Sequence, residues 1–217
     1  MAESKVLCSI GFGPQEKLLR LSRRTFEGYA ARHGYDLELH TEPLQSERPA
    51  QWNKILLLRR LVERYYLVLW IDADAVIVDP SADIADELED GRFLYLVEHR
   101  YGGIRVPNTG VVLLRSGPRA EELLDDLWND TDFAEHRWHE QAALMLRLGY
   151  LESLPIRRSE LRERETKFLG VEWNSTPQHG VRDAYIRHTP GYKPITRLAF
   201  MAKDLAVARA RRSAGRG

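Results

Sequence analysis

The chain holds a single cysteine, Cys8, so no intrachain disulfide can form and a reducing compartment is expected. It has no excess of either charge: Lys+Arg and Asp+Glu each number 32 in 217 residues. That balance offers no basic footprint for nucleic acid or for an anionic membrane. No apolar run approaches the roughly 18–20 residues of a membrane-spanning helix. The opening Met-Ala-Glu-Ser-Lys-Val-Leu-Cys has no basic stretch followed by an apolar one, so no signal peptide is expected. Gly11-Phe12-Gly13 lacks the third glycine of a dinucleotide fingerprint, which gives no reason to expect a nicotinamide or flavin cofactor. Internal repeats and dividing linkers are missing too. What remains is one soluble, cytoplasmic domain over residues 1–217, long enough for a sizeable core.

Within that frame, short apolar runs alternate with helical patterns. Lys5–Ile10 reads as a strand, and Pro14 suits the first turn of a helix running to about Arg32. Leu18, Leu19, Phe26, Tyr29 and Ala30 share its apolar face, and Gly34 stops it. Tyr35–His40 alternates like a strand, and Trp52–Arg64 reads as a helix. A buried strand follows. The order β-α-β-α-β predicts an α/β, Rossmann-like fold with a mostly parallel central sheet flanked by helices. Further on, Phe93–Val97, Gly110–Leu114 and Tyr185–His188 read as strands. Pro118–Trp128, Trp138–Leu148 and Ile195–Arg211 read as helices. The polar stretch 155–183 is expected to include loops, and the core to end near 194. The tail beyond, with Arg209, Arg211, Arg212 and Arg216, is expected to be a solvated helix end with a frayed terminus.

The buried strand carries the chemistry. Residues 66–78 read Tyr-Leu-Val-Leu-Trp-Ile-Asp-Ala-Asp-Ala-Val-Ile-Val. Two carboxylates end a run this apolar only if a counter-charge sits between them. Asp72 and Asp74 can turn toward one divalent cation, and the carboxyl end of such a strand is where open α/β sheets bind ligands. Hard oxygen ligands favour Mn²⁺ or Mg²⁺. Asp130-Thr131-Asp132 has the same spelling but lies in a polar helix-to-loop stretch, where a structural role is expected. The Asp72 pair also fits the first motif of haloacid-dehalogenase-type phosphatases, with Asp72 as nucleophile. That motif follows the first strand of its domain, whereas two β-α units precede it here.

Three further clusters stand out: Asn108-Thr109-Gly110 before an apolar strand, Trp138-His139-Glu140-Gln141 opening a helix, and His188-Thr189-Pro190-Gly191-Tyr192-Lys193-Pro194 near the end. Each alone has an ordinary reading as a turn or a helix surface. In this order, with Trp52-x-Lys54 opening a helix and the Asp-x-Asp strand, the chain resembles GT-A-fold glycosyltransferases. It is most like family 34, the retaining galactosyl, xylosyl and mannosyl transferases. The last cluster is similar to the H-x-x-G-x-x-K-P-W ending of family 8, with one residue fewer before the lysine and no tryptophan after Pro194. The resemblance covers about residues 5–194, and the membrane anchor and stem of eukaryotic members have no counterpart.

The resemblance implies transfer of a hexose or pentose from a nucleotide diphosphate sugar to an acceptor hydroxyl. A uridine diphosphate donor is expected first and guanosine diphosphate-mannose second. Asp72, Asp74 and His188 would hold the metal. Lys193, with Gly191, would meet the diphosphate, and Ser9, Ile10 and Gly11 the base and ribose; Lys54 is a further nucleotide contact. Asn108, Glu140 and Gln141 would line the sugar pocket, with Gln141 beside the anomeric carbon and Glu140 as the rival nucleophile. Trp173-Asn174 is assigned to the acceptor side or, for Trp173, to the core. A non-catalytic nucleotide-sugar-binding module is a third reading.

Overall fold

The structure, a computed structural model, describes residues 4–45, 47–101, 103–150 and 158–213. Its centre is a six-stranded sheet. In chain order the strands are β1 (Lys5–Ile10), β2 (Tyr35–His40), β3 (Leu67–Ile71), β4 (Ala75–Ile77), β5 (Leu94–Tyr101), β6 (Ile104–Arg115), β7 (Thr166–Leu169) and β8 (Ile186–His188). The helices are α1 (Glu16–His33), α2 (Asn53–Val62), α3 (Pro118–Asn129), α4 (His139–Arg147) and α5 (Pro194–Ser213). The sheet order is β2-β1-β3-β6-β5-β7, while β4 and β8 pair separately. β1 pairs parallel with β2 and β3, and β5 with β7; β6 runs antiparallel to both its neighbours.

The parallel half is the β-α-β-α-β start. β3 is buried on both faces, and its alternate residues enter different cores. Leu67, Leu69 and Ile71 pack with residues of α1 and α5, while Val68 and Trp70 pack with residues of α2, α3 and α4. Each such side chain contributes about 1.5–3 kcal/mol by leaving water. α1 buries Leu18, Leu19, Ser22, Thr25, Phe26, Tyr29 and Ala30 along one face, and Gly34 closes it in the left-handed region at φ 70°. Cys8 is buried, and burial pushes its thiol well up, so it is an unreactive core residue.

Two expectations need revision. The polar stretch 155–183 supplies the edge strand β7, whose Thr166 and Leu169 are buried; its pattern is too short to stand out among charged neighbours. The C-terminal arginines are not all solvated: Arg211 donates to the Asp79 carboxylate at 2.9 Å and to the Ala184 carbonyl at 3.1 Å, fastening α5 to the chain beside β4. Arg216 and the terminus expected to fray lie outside the described residues. No helix among those described is long and apolar enough to cross a membrane.

Candidate active site

The two aspartates sit in the turn between β3 and β4, and that turn is held from several sides. The Ser22 hydroxyl, buried on α1, donates to the carbonyls of Ala73 at 3.2 Å and Ala75 at 2.5 Å. The Asp72 amide donates to the Gly110 carbonyl at 2.8 Å. The Thr189 hydroxyl and amide donate to the Asp74 carbonyl at 3.0 and 3.2 Å. Gly11 lies against the same turn. A Cβ there would stand 3.1 Å from Ala73 Cβ and 2.9 Å from both Leu19 Cβ and the Gln15 carbonyl, so no larger residue fits.

Antiparallel pairing of β4 with β8 sets Ala75 opposite His188. His188 Nε2 then lies 3.2 Å from Asp74 Oδ1 and 3.5 Å from Asp72 Oδ2. The candidate ligand atoms of the three residues all fall within 4.8 Å of one another. The imidazole has little freedom. Asn174 Oδ1 can only accept, so His188 Nδ1 donates to it at 3.0 Å, and the Asn174 amide donates in turn to Asn108 Oδ1 at 2.8 Å. Nε2 is thereby the nitrogen left facing the carboxylates, and it is buried with no hydrogen-bond partner among the described residues. A neutral imidazole lone pair aimed at two carboxylates is repelled unless a cation lies between them. One imidazole and two carboxylates also form a suitable donor set for a divalent ion such as Mn²⁺. The residues present therefore fit a metal.

Asn108 has a different place from the one expected. The register between β5 and β6 jumps from Leu96–Val112 to Val97–Asn108, leaving Thr109, Gly110 and Val111 without partners on β5. Such a bulge re-aims side chains. Asn108 Oδ1 also accepts from the Gly110 amide at 2.9 Å. A Cβ on Gly110 would lie 2.1 Å from His188 Cε1, so the glycine makes the room that the imidazole fills. The Asn-x-Gly motif thus serves the His188 ring. Trp173 is core, and its neighbour Asn174 joins the two. The only sequence signal for Asn174 was its nearness to Trp173, because its partners lie 66 and 14 residues away in the chain.

On the other flank Lys54 is a buried hub. Its ammonium donates to Glu140 at 2.8 Å and to the Thr109 carbonyl at 3.0 Å, and it lies 3.4 Å from Asp72 Oδ1. Burial would lower its pKa, but Asp72 and Glu140 outweigh that and raise it, so the lysine stays charged. The Trp70 indole N–H donates to Asp72 Oδ1 at 2.6 Å, which turns Oδ2 toward His188. Gln141 Oε1 accepts from the Thr109 amide at 3.3 Å. His139, in the left-handed region at φ 42°, opens the helix that carries Glu140 and Gln141.

A cleft of about 270 Å³ opens over the triad, between Ile10, Gly11 and Phe12 on one side and Pro190 and Gly191 on the other. Lys54, Glu140 and Arg197 also line it. Four expected residues do not: Asn108, Gln141, Ser9 and Lys193. Ser9 is fully buried one position too early, and its hydroxyl has no partner among the described residues. Lys193 is exposed outside the lining, because Pro194 already starts α5. Arg197, one helical turn later, takes the inward position that sequence reading missed. Its Nε lies 3.4 Å from Asp74 Oδ2 and its Nη1 donates to Gln15 at 3.3 Å. Burial would raise the Asp74 carboxyl, but the charged groups around it, the Arg197 guanidinium among them, hold it below the ordinary range. The second Asp-x-Asp pair is structural: Asp130 accepts from Arg147 at 2.8 Å and from the Asp132 amide at 3.1 Å.

Comparison with known proteins places this geometry. Residues 14–94 match the galactosyl transferase GMA12/MNN10 family, a segment that runs from the start of the first helix past the Asp-x-Asp turn. A glycosyltransferase involved in the glycosylation of the major capsid of PBCV-1 superposes with a TM-score of 0.70 at 18% identity, over 92% of this chain and 99% of that one. This is the GT-A glycosyltransferase fold. The galactosyltransferase LgtC, solved with donor and acceptor sugar analogues, matches with a TM-score of 0.51 at 10% identity, over 94% and 95% of the two chains. The glycosyltransferase GlyE of Streptococcus pneumoniae TIGR4 matches with a TM-score of 0.56 at 13% identity, over 98% of this chain and 64% of its own. No curated protein sequence matches. The GT-A fold displaces the phosphatase alternative, since Asp72 follows the third strand and keeps one oxygen bonded to Trp70.

Proposed function

We propose that the protein is a metal-dependent retaining glycosyltransferase that moves a hexose or pentose from a nucleotide diphosphate sugar to an acceptor hydroxyl. The observation that carries this reading is the Asp72–Asp74–His188 group opening into the cleft at the end of β3. The family match over 14–94 and the GT-A fold support the same class. Mn²⁺ or Mg²⁺ suits the two carboxylates, and when bound it supplies Lewis-acid stabilisation of the charge that builds on the departing diphosphate. A uridine diphosphate donor is our first assignment and guanosine diphosphate-mannose the second.

The residues divide the work. Ile10 and Gly11 offer main chain for the nucleoside. Arg197 brings a planar guanidinium to the cleft wall and takes the diphosphate-contacting role expected of Lys193. Gly191, at φ 74°, lets the 189–192 turn follow the cleft edge. Glu140 is bound to the Lys54 ammonium, which leaves it a poor nucleophile, and the Gln141 amide is poorer still. Retention then follows from attack on the same face. The bond from the anomeric carbon to the phosphate oxygen breaks with its electron pair leaving on the phosphate. The acceptor oxygen bonds to that carbon, and the departing phosphate takes the acceptor proton. Such a site works by positioning and charge stabilisation.

The test is release of nucleoside diphosphate from a panel of nucleotide sugars with Mn²⁺. At least one donor is turned over, and Asp74→Ala lowers its turnover by about 100-fold or more. No turnover of any donor, or a variant equal to the parent, overturns the proposal. Binding without turnover would leave a nucleotide-sugar-binding module.

A further inference from the structure

Beside the cleft lies a second cavity, of about 120 Å³, lined by Tyr101, Thr176, Gln178, Pro190, Gly191 and Tyr192. Pro190 and Gly191 line both spaces, so the turn after His188 borders the cleft on one side and this cavity on the other. None of the six lining residues is charged. Its aromatic walls are braced from behind. Tyr101 stands edge-on to His179 at 4.4 Å, and His179 lies flat on His99 at 4.7 Å. Tyr192 packs edge-to-face against Phe200 at 5.1 Å. His99 is fixed in turn by donating to the Asn174 carbonyl at 2.8 Å, and Asn174 also carries His188. The cavity wall and the metal ligand therefore share one support. Gln178 is exposed and makes no hydrogen bond among the described residues, so both ends of its amide are open to a ligand.

Two braced phenol rings, an unoccupied amide and a hydroxyl oxygen, whose own proton goes to His179 Nδ1 at 3.2 Å, with no charge, match the chemistry of a sugar. Its C–H face packs on aromatic rings and its hydroxyls pair with neutral donors and acceptors. An anionic ligand would find no counter-charge in this lining.

We propose that this cavity is the acceptor subsite and takes a neutral saccharide, one ring held by Tyr101 and Tyr192 with hydroxyls on Gln178 and Thr176. It presents a hydroxyl across Pro190–Gly191 toward the donor. The inference rests on the glycosyltransferase reading, and its test separates the two.

The experiment is saturation-transfer NMR with a panel of methyl hexosides, in the presence of Mn²⁺ and UDP or GDP. The parent protein is compared with Tyr101→Ala and Gln178→Ala, with nucleotide affinity measured by calorimetry alongside. At least one methyl hexoside binds the parent, both variants weaken it about tenfold, and nucleotide affinity stays unchanged. The inference fails if nucleotide binds but no methyl hexoside does, or if the variants bind the sugar as the parent does. If the parent binds neither nucleotide, it is the glycosyltransferase reading that fails. Should Tyr101→Ala not fold, Gln178→Ala at its exposed position carries the same comparison.

Discussion

The side-chain oxygen of Asn174 accepts a hydrogen bond from Nδ1 of His188 at 3.0 Å, while its amide donates to Asn108 at 2.8 Å. One buried amide thus selects the nitrogen that faces Asp72 and Asp74. Partners of this kind fix the tautomer and direction of a metal ligand. Asn174→Ala is expected to weaken Mn²⁺ binding about 10–100-fold, with a matching loss of turnover. Electron paramagnetic resonance of free Mn²⁺ measures the affinity, and Asn174→Asp, which keeps the acceptor, should recover part of it.

Gly110 is predicted to be irreplaceable for a different reason. An added Cβ falls inside the His188 ring, and the ring cannot retreat while Asn174 holds it. Gly110→Ala should cost about 1–3 kcal/mol of stability and most of the metal affinity. Denaturant melts and Mn²⁺ titration check the two effects separately.

Lys54 keeps two carboxylates, Asp72 and Glu140, from facing each other uncompensated. Its ammonium and Glu140 are both nearly solvent-free. Lys54→Met is therefore expected to destabilise the protein by about 3–5 kcal/mol. The double variant Lys54→Met, Glu140→Gln should recover stability relative to the single one. Equal melting temperatures for the single variant and the parent would contradict the hub.

His99 makes stability pH-dependent. Burial lowers its pKa from 6.5 to about 4, and among the described residues its Nδ1 has no partner to accept a second proton's hydrogen bond. Between those values the unfolded chain binds a proton that the folded one does not. Stability is therefore complete above about pH 6.5 and falls as the pH drops toward 4. Melting temperatures across that window test the sign, and His99→Gln, which can still donate to Asn174, should flatten the slope.

Arg197 is predicted to act on nucleotide binding. Arg197→Gln should raise the KM for the nucleotide sugar about tenfold with a smaller effect on kcat. Lys193→Gln should change neither, since that side chain lies outside the cleft. A reversed pattern would return the phosphate contact to Lys193.

Much of this was legible in the chain, and the failures have physical causes. β1, α1 and β2 follow their periodicity because each buries one clear face. The Asp-x-Asp turn could be read from its apolar strand, and His188 from its place in the last cluster. The support around them could not. Asn108 and Asn174 become partners only through a bulge in β6 and a pairing across 66 residues. Lys54 was legible only as a nucleotide contact, and its buried pairing was not, because its carboxylates lie 18 and 86 positions on, at Asp72 and Glu140. Arg197 was overshadowed by Lys193, one turn earlier, whose match to a familiar motif was stronger than its geometry.

The central claim is that Asp72, Asp74 and His188 hold a divalent ion that the cleft needs to bind nucleotide diphosphate. Calorimetric titration of UDP and GDP, with and without Mn²⁺, tests it directly in the parent and in His188→Ala. One nucleotide should bind the parent only when Mn²⁺ is present, and His188→Ala should abolish that dependence by losing the Mn²⁺-assisted affinity. Nucleotide binding that ignores Mn²⁺, or that survives His188→Ala unchanged, would contradict the account.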